Sequence, residues 1–423
     1  MSFRFFAIAC YRQKYRNLTA ALLSALLIFF VAEAAFGQEA EKESISTKEH
    51  ITRTKDGWDI SIKRYLSEDS VKQSKGAVIL CHGFNFNNLF WDLDERSSLA
   101  RYLARNGYDV WAPSLRGSGL SSKTLAAGLK DWTRWRPNNI GRVITKAAND
   151  VTKRTWTIDD HIHQDVPAIV DYVREKSGFD KVYWIGHSMG SIIMFGYLET
   201  EGEDKIAGFI SVGSMVVMTD PLTPQLQRIA DQEEILAASL LLNTKTAGDL
   251  RSITFGAVKY PMEEMLLNRE NMYKETVSAL FRKCIEDTSS GVIRQFSYSI
   301  RNGRMLSSEL SKEQYDYTAN LGKITIPIMV TAGGRDAFVD QEAVVKSYHA
   351  VSSKDKQIAI FSKENGYPDD YGHSDVLIGK NSEKEVYPVM LEWLDECAKQ
   401  CGMSRGMSVF ERIWQRLRER FKK

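Results

Sequence analysis

The chain has 423 residues, of which 43% are apolar, 11% aromatic and 26% charged; these ordinary globular values exclude collagen, intrinsic disorder and a small disulfide scaffold. Lys and Arg total 56 against 54 Asp and Glu, so the formal net charge is only +2 and no nucleic-acid partner is expected. Five Cys and seven His, with no CxxC or HxxxH spacing, predict no metal site and no cofactor.

The N-terminal residues have the pattern of a secretory signal. Residues 1–17 contain four bases and no acid, and residues 18–32 are uncharged and rich in Leu, Ala and Phe. Small residues near Gly37 suit cleavage there, so residues 1–37 are interpreted as a signal peptide. An uncleaved N-terminal anchor is the alternative, because this segment is nearly long enough to span a bilayer. Either way, we expect the rest of the chain to be exported, as a periplasmic or secreted protein.

Export would leave four Cys in an oxidising compartment. Cys397 and Cys401 lie one helical turn apart, so they are the pair best placed to form a bridge. Two free buried thiols are the alternative.

The pattern of residues 38–402 predicts one α/β domain. Residues 50–54 and 58–65 flank Asp56-Gly57, which predicts an antiparallel hairpin. Short apolar or β-branched runs then alternate with helical patterns, as in a doubly wound, mostly parallel sheet. Ligands bind such sheets at the carboxyl ends of the strands. The predicted strands are 77–81, 108–112, 181–185, 207–212, 326–331 and 357–361, and the predicted helices are 97–106, 159–176 and 192–199.

The alternation of strands and helices is interrupted once. From about residue 215 to residue 322 no convincing strand occurs, and residues 225–242 and 262–280 have helical patterns. A segment of this length is too long for a structureless loop. We therefore predict a helical cap inserted between two strands, with a separate helical domain as the alternative.

A candidate nucleophile follows the predicted strand 181–185. The sequence GHSMG at residues 186–190 is a G-x-S-x-G motif between a strand and a helix. Its glycines permit a tight, strained turn that would expose the Ser188 hydroxyl. An ordinary glycine-rich turn is the alternative interpretation.

A nucleophilic serine needs a base and an acid, expected downstream in the order Ser, Asp, His. Asp336 follows the predicted strand 326–331, and His373 lies in the loop after the next strand. His373 would accept the serine proton, and Asp336 would orient the imidazole and stabilise its charged form. The alternatives left open are Asp340, Asp369 and Asp370 as the acid and His349 as the base.

The oxyanion of an acyl-transfer intermediate needs backbone N–H donors. Met189, directly after the nucleophile, supplies one, and the Phe84 N–H in the loop after strand 77–81 is the expected second. His82 and His187 each lie at a strand end and are interpreted as structural.

Together these motifs resemble a known family. The matching stretches follow one another in family order over roughly residues 50–400. They are LCHGF, LARNGYDVWAPSLRGSG, WTIDDHIHQDVPAIVDYV, GHSMG, AGGRD and YGHSD. The chain resembles the α/β-hydrolases and, within them, the acid (gastric and lysosomal) lipase group and its microbial relatives. The resemblance implies an eight-stranded, mostly parallel sheet flanked by helices, with a cap between the sixth and seventh core strands. The resemblance implies that Ser188 is the nucleophile and that Asp336 and His373 complete the catalytic triad. It also implies that Phe84 and Met189 are the oxyanion donors. The chain departs from the group at Met189, where those lipases usually carry Gln, and in the longer stretch 123–154.

The C-terminal residues predict a basic amphipathic helix. Ser408 and Glu411 form a capping box, and residues 403–423 carry a charge of +5 beside an apolar stripe. Such a helix is typical of contact with a membrane surface. The alternatives are that the stripe packs on the hydrolase body or on a partner protein. Residues 1–37 carry a net charge of +3, and the tail, residues 403–423, carries +5. Since the whole chain carries +2, residues 38–402 carry −6.

The sequence therefore predicts a serine hydrolase that cleaves a carboxylic ester with an apolar acyl or alcohol part through an acyl-enzyme. The expected partners are a small-molecule or lipid ester and, through residues 403–423, a membrane surface. An acyltransferase or polyester-active enzyme on the same triad is one alternative. A non-catalytic lipid-binding or scaffold protein of the same fold is the other.

Overall fold

Eight strands form one sheet in the computed structural model, which describes residues 45–68, 74–122, 155–218, 227 and 266–401. The strands are β1 (Ser46–Arg53), β2 (Asp59–Leu66), β3 (Ala77–Cys81), β4 (Asp109–Pro113), β5 (Val182–His187), β6 (Ile206–Val212), β7 (Ile328–Gly333) and β8 (Lys356–Phe361). Their order in the sheet is β1-β2-β4-β3-β5-β6-β7-β8. Strand β2 is antiparallel to both of its neighbours, and every other neighbouring pair is parallel. The predicted mostly parallel α/β sheet is confirmed.

Helices cover both faces of the sheet. They are α1 (Leu99–Arg105), α2 (Ile158–Asp160), α3 (Val166–Ser177), α4 (Met189–Thr200), α5 (Lys274–Ala279), α6 (Ser290–Arg301), α7 (Tyr317–Asn320), α8 (Gln341–Ala350), α9 (Asp375–Ile378), α10 (Ser382–Glu385) and α11 (Tyr387–Cys401). The π-helical turn His161–Asp165 joins α2 to α3, and a second, Leu280–Cys284, follows α5. The 3-10 turns of the described residues are Asn88–Asp92, Arg269–Asn271, Leu321–Lys323 and Lys363–Asn365.

The core strands are buried on both faces because successive side chains enter opposite apolar clusters. In β5, Val182 and Trp184 pack with α3, α4 and α8, whereas Tyr183 and Ile185 pack with α1 and α11. Every residue of β3 to β7 is buried, which explains why these strands read as continuous apolar runs. The edge strand β8 is partly exposed.

The predicted hairpin is present but longer than its apolar pattern indicated. Gly57, with φ 92°, lies in the turn, and the Gly57 N–H donates to the Thr54 carbonyl at 3.0 Å. Strand β1 begins at Ser46 rather than at residue 50. Its first four residues are exposed, so they carry no buried period-two signal, and their pairing with β2 defines them as strand.

Helices α5, α6 and α7 lie between β6 and β7, the position expected for the inserted helices. The continuous helix predicted over 262–280 is wrong in its described part. The Asn268 side chain accepts the Glu270 N–H and begins a 3-10 turn, and Met272 and Tyr273 have extended backbones, so α5 starts only at Lys274. Residues 225–242 lie outside the described residues, apart from residue 227.

Within the described part of the chain, no helix is both long enough and apolar enough to cross a membrane. Residues 1–37, 123–154 and 403–423 and the side chain of Cys401 lie outside that part.

Candidate active site

Ser188 occupies a strained turn between β5 and α4. Its φ is 52° and its ψ −119°, and among the described residues Asn85 is the only other non-glycine residue with positive φ. A Cβ at Gly186 would collide with the Gly190 backbone, and one at Gly190 with the Cys81 carbonyl. The two motif glycines therefore permit the close packing that holds Ser188 in this conformation.

His373 and Asp336 form a buried pair. Nδ1 of His373 lies 2.8 Å from Oδ2 of Asp336, and their side chains are only 5% and 0% exposed. The other carboxylate oxygen accepts the N–H groups of Phe338 and Val339, both at 2.9 Å. Because a carboxylate only accepts hydrogen bonds, Nδ1 carries the hydrogen and the Nε2 lone pair of His373 is left available as a base.

The end of β6 packs between this pair and the serine turn. The Ser188 N–H donates to the Val212 carbonyl at 2.8 Å, and a Cβ on the next residue, Gly213, would lie 3.3 Å from Oδ2 of Asp336. Ser188 and His373 line one cavity. Among the described residues no hydrogen bond joins the Ser188 hydroxyl to the His373 ring.

Both predicted oxyanion donors lie beside Ser188. Met189 is the first residue of α4, and the first N–H groups of a helix have no intrahelical acceptors. Gly83 approaches the turn so closely that a Cβ there would lie 3.1 Å from the Ser188 Cβ. Phe84, next along the chain, lines the same cavity as Ser188. The Met189 and Phe84 N–H groups are therefore the candidate donors for an oxyanion formed at Ser188.

A family model described as "alpha/beta hydrolase fold" matches residues 76–373, from the strand before Gly83 to His373. The chain belongs to the α/β-hydrolase family. Relatives of this hydrolase include a tear acid lipase-like protein from Mesocricetus auratus, 23% identical over 366 residues, 80% of this chain and 84% of the relative. Triacylglycerol lipase 1 from Arabidopsis thaliana is 24% identical over 377 residues, 82% of this chain and 87% of the relative. The resemblance to the lipase group is confirmed.

A solved structure agrees with the fold of the hydrolase. An esterase from Exiguobacterium antarcticum matches with a TM-score of 0.50 and 15% identity, over 82% of this chain and 99% of that chain. At this identity the likeness concerns the fold alone.

The two strand-end histidines of the hydrolase have structural contacts. His82 lies 2.8 Å through Nδ1 from the Gly83 carbonyl and accepts the Leu115 N–H at Nε2, and burial lowers its pKa to about 4. His187 donates from Nε2 to the His373 carbonyl at 2.9 Å, and burial holds its pKa well below the usual range. Both rings are therefore neutral at physiological pH.

The alternative acids of the hydrolase have other partners. Asp340 accepts the Glu342 N–H at the start of α8, Asp370 accepts the Lys363 N–H, and Asp369 accepts from the Asn381 side chain. His349 lies in the last turn of α8, and its ring packs edge-on against Tyr348. None of these four side chains lines the cavity that contains Ser188.

The cavity of the hydrolase has a volume of about 150 Å³, and its described lining is mostly apolar. Sequence reasoning did not predict that α6 forms one wall, although residues 293, 296 and 300 have the spacing of one helical face. The described lining residues are Phe84, Phe86, His187, Ser188, Ile192, Met215, Leu266, Ile293, Phe296, Ile300, Phe338, Val339 and His373.

Helix α6 is anchored to the body by buried polar groups that the sequence also did not reveal. The Gln295 side chain accepts the Ile158 N–H at 2.8 Å and donates to the Asp159 carboxylate at 2.7 Å. These hydrogen bonds fix the apolar wall of the cavity to Ile158 and Asp159 of α2.

Proposed function

We propose that the chain is a serine hydrolase that cleaves carboxylic esters with an apolar acyl or alcohol part. The observation that carries the proposal is the strained Ser188 turn, which opens into an apolar cavity shared with His373. The His373 ring is oriented by a buried carboxylate, that of Asp336. Membership of the α/β-hydrolase family and the lipase names of the relatives support it.

In the proposed mechanism, Nε2 of His373 removes the Ser188 proton as Oγ attacks the ester carbonyl. The resulting oxyanion accepts hydrogen bonds from the Phe84 and Met189 N–H groups. Collapse of this intermediate breaks the ester bond, and the leaving alcohol takes the proton from His373. Water then attacks the acyl-enzyme with His373 again as base, which releases the acid and restores Ser188.

The lining of the cavity supports an uncharged, apolar group beside the scissile bond. Its described residues include no Lys, Arg, Asp or Glu, so a charged acyl chain would be desolvated without a partner. Each buried methylene contributes about 0.8 kcal/mol of binding free energy, which is close to a fourfold change in affinity. We therefore expect kcat/KM to rise along a series of esters from acetyl to medium-chain acyl groups.

The test is hydrolysis of this ester series by the wild-type protein and by Ser188→Ala. The variant should lose at least about 1000-fold in kcat/KM, because the nucleophile is absent, while its thermal unfolding stays close to that of the wild type. Ser191→Ala is a suitable control in the same helix, because among the described residues its hydroxyl bonds only to backbone atoms of β5 and β6. Full activity of Ser188→Ala would refute the proposal.

We also propose that the hydrolase is exported, with residues 1–37 as the signal. The basic and apolar order of this segment supports export. Mass spectrometry of the N-terminus after expression in the native host tests the proposal. A mature chain that starts near residue 38 is expected, an intact N-terminus in the membrane fraction would identify the anchor alternative, and an intact chain in the cytoplasm would contradict export.

A further inference from the structure

The loop that carries the Phe84 N–H is a turn that its own contacts hold only weakly. We call residues 82–87 the oxyanion loop. Asn85 has φ 58°, and its side-chain oxygen is buried without a hydrogen-bond partner among the described residues. The bond within the turn, from the Phe86 N–H to the Gly83 carbonyl, is long at 3.4 Å. A conformation of this kind persists when its surroundings hold it in place.

Several contacts that hold the oxyanion loop come from the inserted region, which we define as the described residues between β6 and β7 (213–218, 227 and 266–327). The Glu286 N–H donates to the Asn85 carbonyl at 2.8 Å. Oε1 of Glu286 accepts from the Asn87 side-chain amide at 2.9 Å and from the Gly119 N–H at 3.2 Å. The same Asn87 amide donates to the Lys283 carbonyl at 2.9 Å. Residues 283–286 thus bind the loop at positions 85 and 87.

Glu286 is well suited to fix the loop because it is itself immobilised. The residue is only 4% exposed, and its backbone and its side chain contact positions 85 and 87, on one side of Phe84. The Phe84 ring packs edge-on against Phe296 of α6, with ring centroids 5.9 Å apart. The inserted region therefore restrains the loop through a carboxylate and through an aromatic contact.

From these contacts we infer that Glu286 is a positioning residue for oxyanion stabilisation. It holds the oxyanion loop so that the Phe84 N–H points to the site where the oxyanion forms beside Ser188. The inference rests on the proposed function, in which Phe84 is one of the two donors. Oxyanion donors act only when they lie about 2.7–3.1 Å from the developing charge, so a small shift of the loop reduces the rate. The inserted region is in this view part of the support of the catalytic centre, as well as a wall of its cavity.

Three variants separate the positioning role from general stability. Glu286→Ala removes the acceptor for Asn87 and Gly119, whereas Glu286→Gln retains a side-chain oxygen in its place. Tyr317→Phe is the matched control, because it removes one part-buried hydrogen bond between the same region and the body, to Asp159. In the described part of the chain, no hydrogen bond of either residue reaches the oxyanion loop. Each variant is assayed on a soluble ester for kcat and KM across pH, and for thermal unfolding.

We expect Glu286→Ala to lower kcat about 10- to 100-fold, with KM changed less than about threefold, since the donor acts mainly in the transition state. The midpoint of the pH–rate profile should not move, because the His373–Asp336 pair is untouched. Glu286→Gln should retain kcat within about fivefold and Tyr317→Phe within about twofold. A boronic acid that mimics the tetrahedral intermediate should bind Glu286→Ala more weakly by the same factor as the loss in kcat/KM.

A double-mutant cycle covers the case in which Glu286→Ala does not fold. Asn87→Asp places two acidic oxygens against each other and should lower kcat. Combined with Glu286→Gln, it restores a donor and an acceptor with the roles exchanged, and kcat should recover at least about fivefold relative to Asn87→Asp alone.

Three results would overturn the inference: an unchanged kcat in folded Glu286→Ala, equal losses in Glu286→Ala and Tyr317→Phe, or no recovery in the double variant. Failure of the proposed function is distinguishable, because it appears as full activity of Ser188→Ala. Loss of activity in Ser188→Ala together with normal activity in Glu286→Ala would overturn the positioning role alone.

Discussion

Glu199 is a buried acid outside the reacting groups. It lies on α4, the helix that begins directly after Ser188, and is only 8% exposed. Burial raises its pKa to about 9. The nearby Tyr315 hydroxyl opposes the shift, but neither Glu199 oxygen accepts a hydrogen bond of acceptable geometry in the described part of the chain. The carboxyl group is therefore protonated in the folded protein at neutral pH.

The protonated Glu199 makes stability depend on pH. The unfolded chain releases this proton near the ordinary pKa of 4.5 and the folded chain near 9, so the folded state binds more protons between these values and its stability falls as pH rises. Glu199→Gln removes this dependence and should raise the free energy of unfolding by about 3 kcal/mol at about pH 7, with little change at about pH 4.

Urea unfolding across this pH range measures the effect of Glu199→Gln. The exposed Glu201, at the end of the same helix, provides the control, and Glu201→Gln should leave the slope of stability with pH unchanged. Parallel stability curves for the wild type and Glu199→Gln would show that the Glu199 carboxyl is ionised in the fold.

At the scale of elements, the inserted region also contacts the loop that carries His373. The Asp375 carboxylate is fully buried and accepts the Gly372 N–H at 3.0 Å, the Asn268 N–H at 2.8 Å and the Asn271 side-chain amide at 2.9 Å. Gly372 directly precedes His373, and the two Asn residues belong to the inserted region. The Ser374 N–H donates to the Leu266 carbonyl. Gly372 and Ser374, on either side of the proposed base, are therefore both held by hydrogen bonds.

Asp375→Asn should disturb this arrangement, because an amide offers one acceptor oxygen and brings two donor hydrogens toward groups that are themselves donors. At least one buried donor then loses its partner, which costs about 1–3 kcal/mol of stability. We expect a lower melting temperature and a lower kcat. The control is Asp369→Asn in the same loop, which is partly exposed and has one side-chain partner, Asn381. An equal effect of both changes would contradict the role of Asp375.

The sequence predicts an element when the residues that specify it are close together in the chain. The core strands are continuous apolar runs, and the Ser188 turn has its signature in five consecutive residues, so both were visible in the sequence. The order of Asp336 and His373 after successive strands was visible for the same reason. The pairing of their side chains became visible only in the fold.

The hydrogen bonds that hold the inserted region to the rest of the domain have no signal in consecutive residues. Glu286 and Asn87 are 199 positions apart, and Asn268 and Asp375 are 107 apart, so each contact depends on tertiary packing. The helix predicted over 262–280 failed where Asn268 begins a 3-10 turn and Met272 is extended, because apolar spacing does not register a capping side chain.

At the scale of the whole molecule, charge is divided unevenly along the chain. Residues 38–402 carry −6, whereas residues 403–423 carry +5 beside an apolar stripe. We propose that the tail binds an anionic membrane surface, to which each basic residue near the surface contributes about 1 kcal/mol.

Deletion of residues 403–423 tests the role of the tail. The shortened chain should bind vesicles that contain anionic lipid at least about tenfold more weakly, and hydrolysis of a soluble ester should be unchanged. Binding of the full chain should also fall with added salt, and vesicles of zwitterionic lipid alone serve as the control. Vesicle binding that survives the deletion would contradict membrane contact through the tail.

In the proposed mechanism, Ser188 is the residue that becomes acylated. The most direct measurement is peptide mapping by mass spectrometry after reaction of the folded protein with a fluorophosphonate or a slowly released ester. We predict one modification, on the peptide that contains Ser188, absent from Ser188→Ala and much slower in His373→Ala. Labelling of another residue, or equal labelling of Ser188→Ala, would show that Ser188 is not the nucleophile.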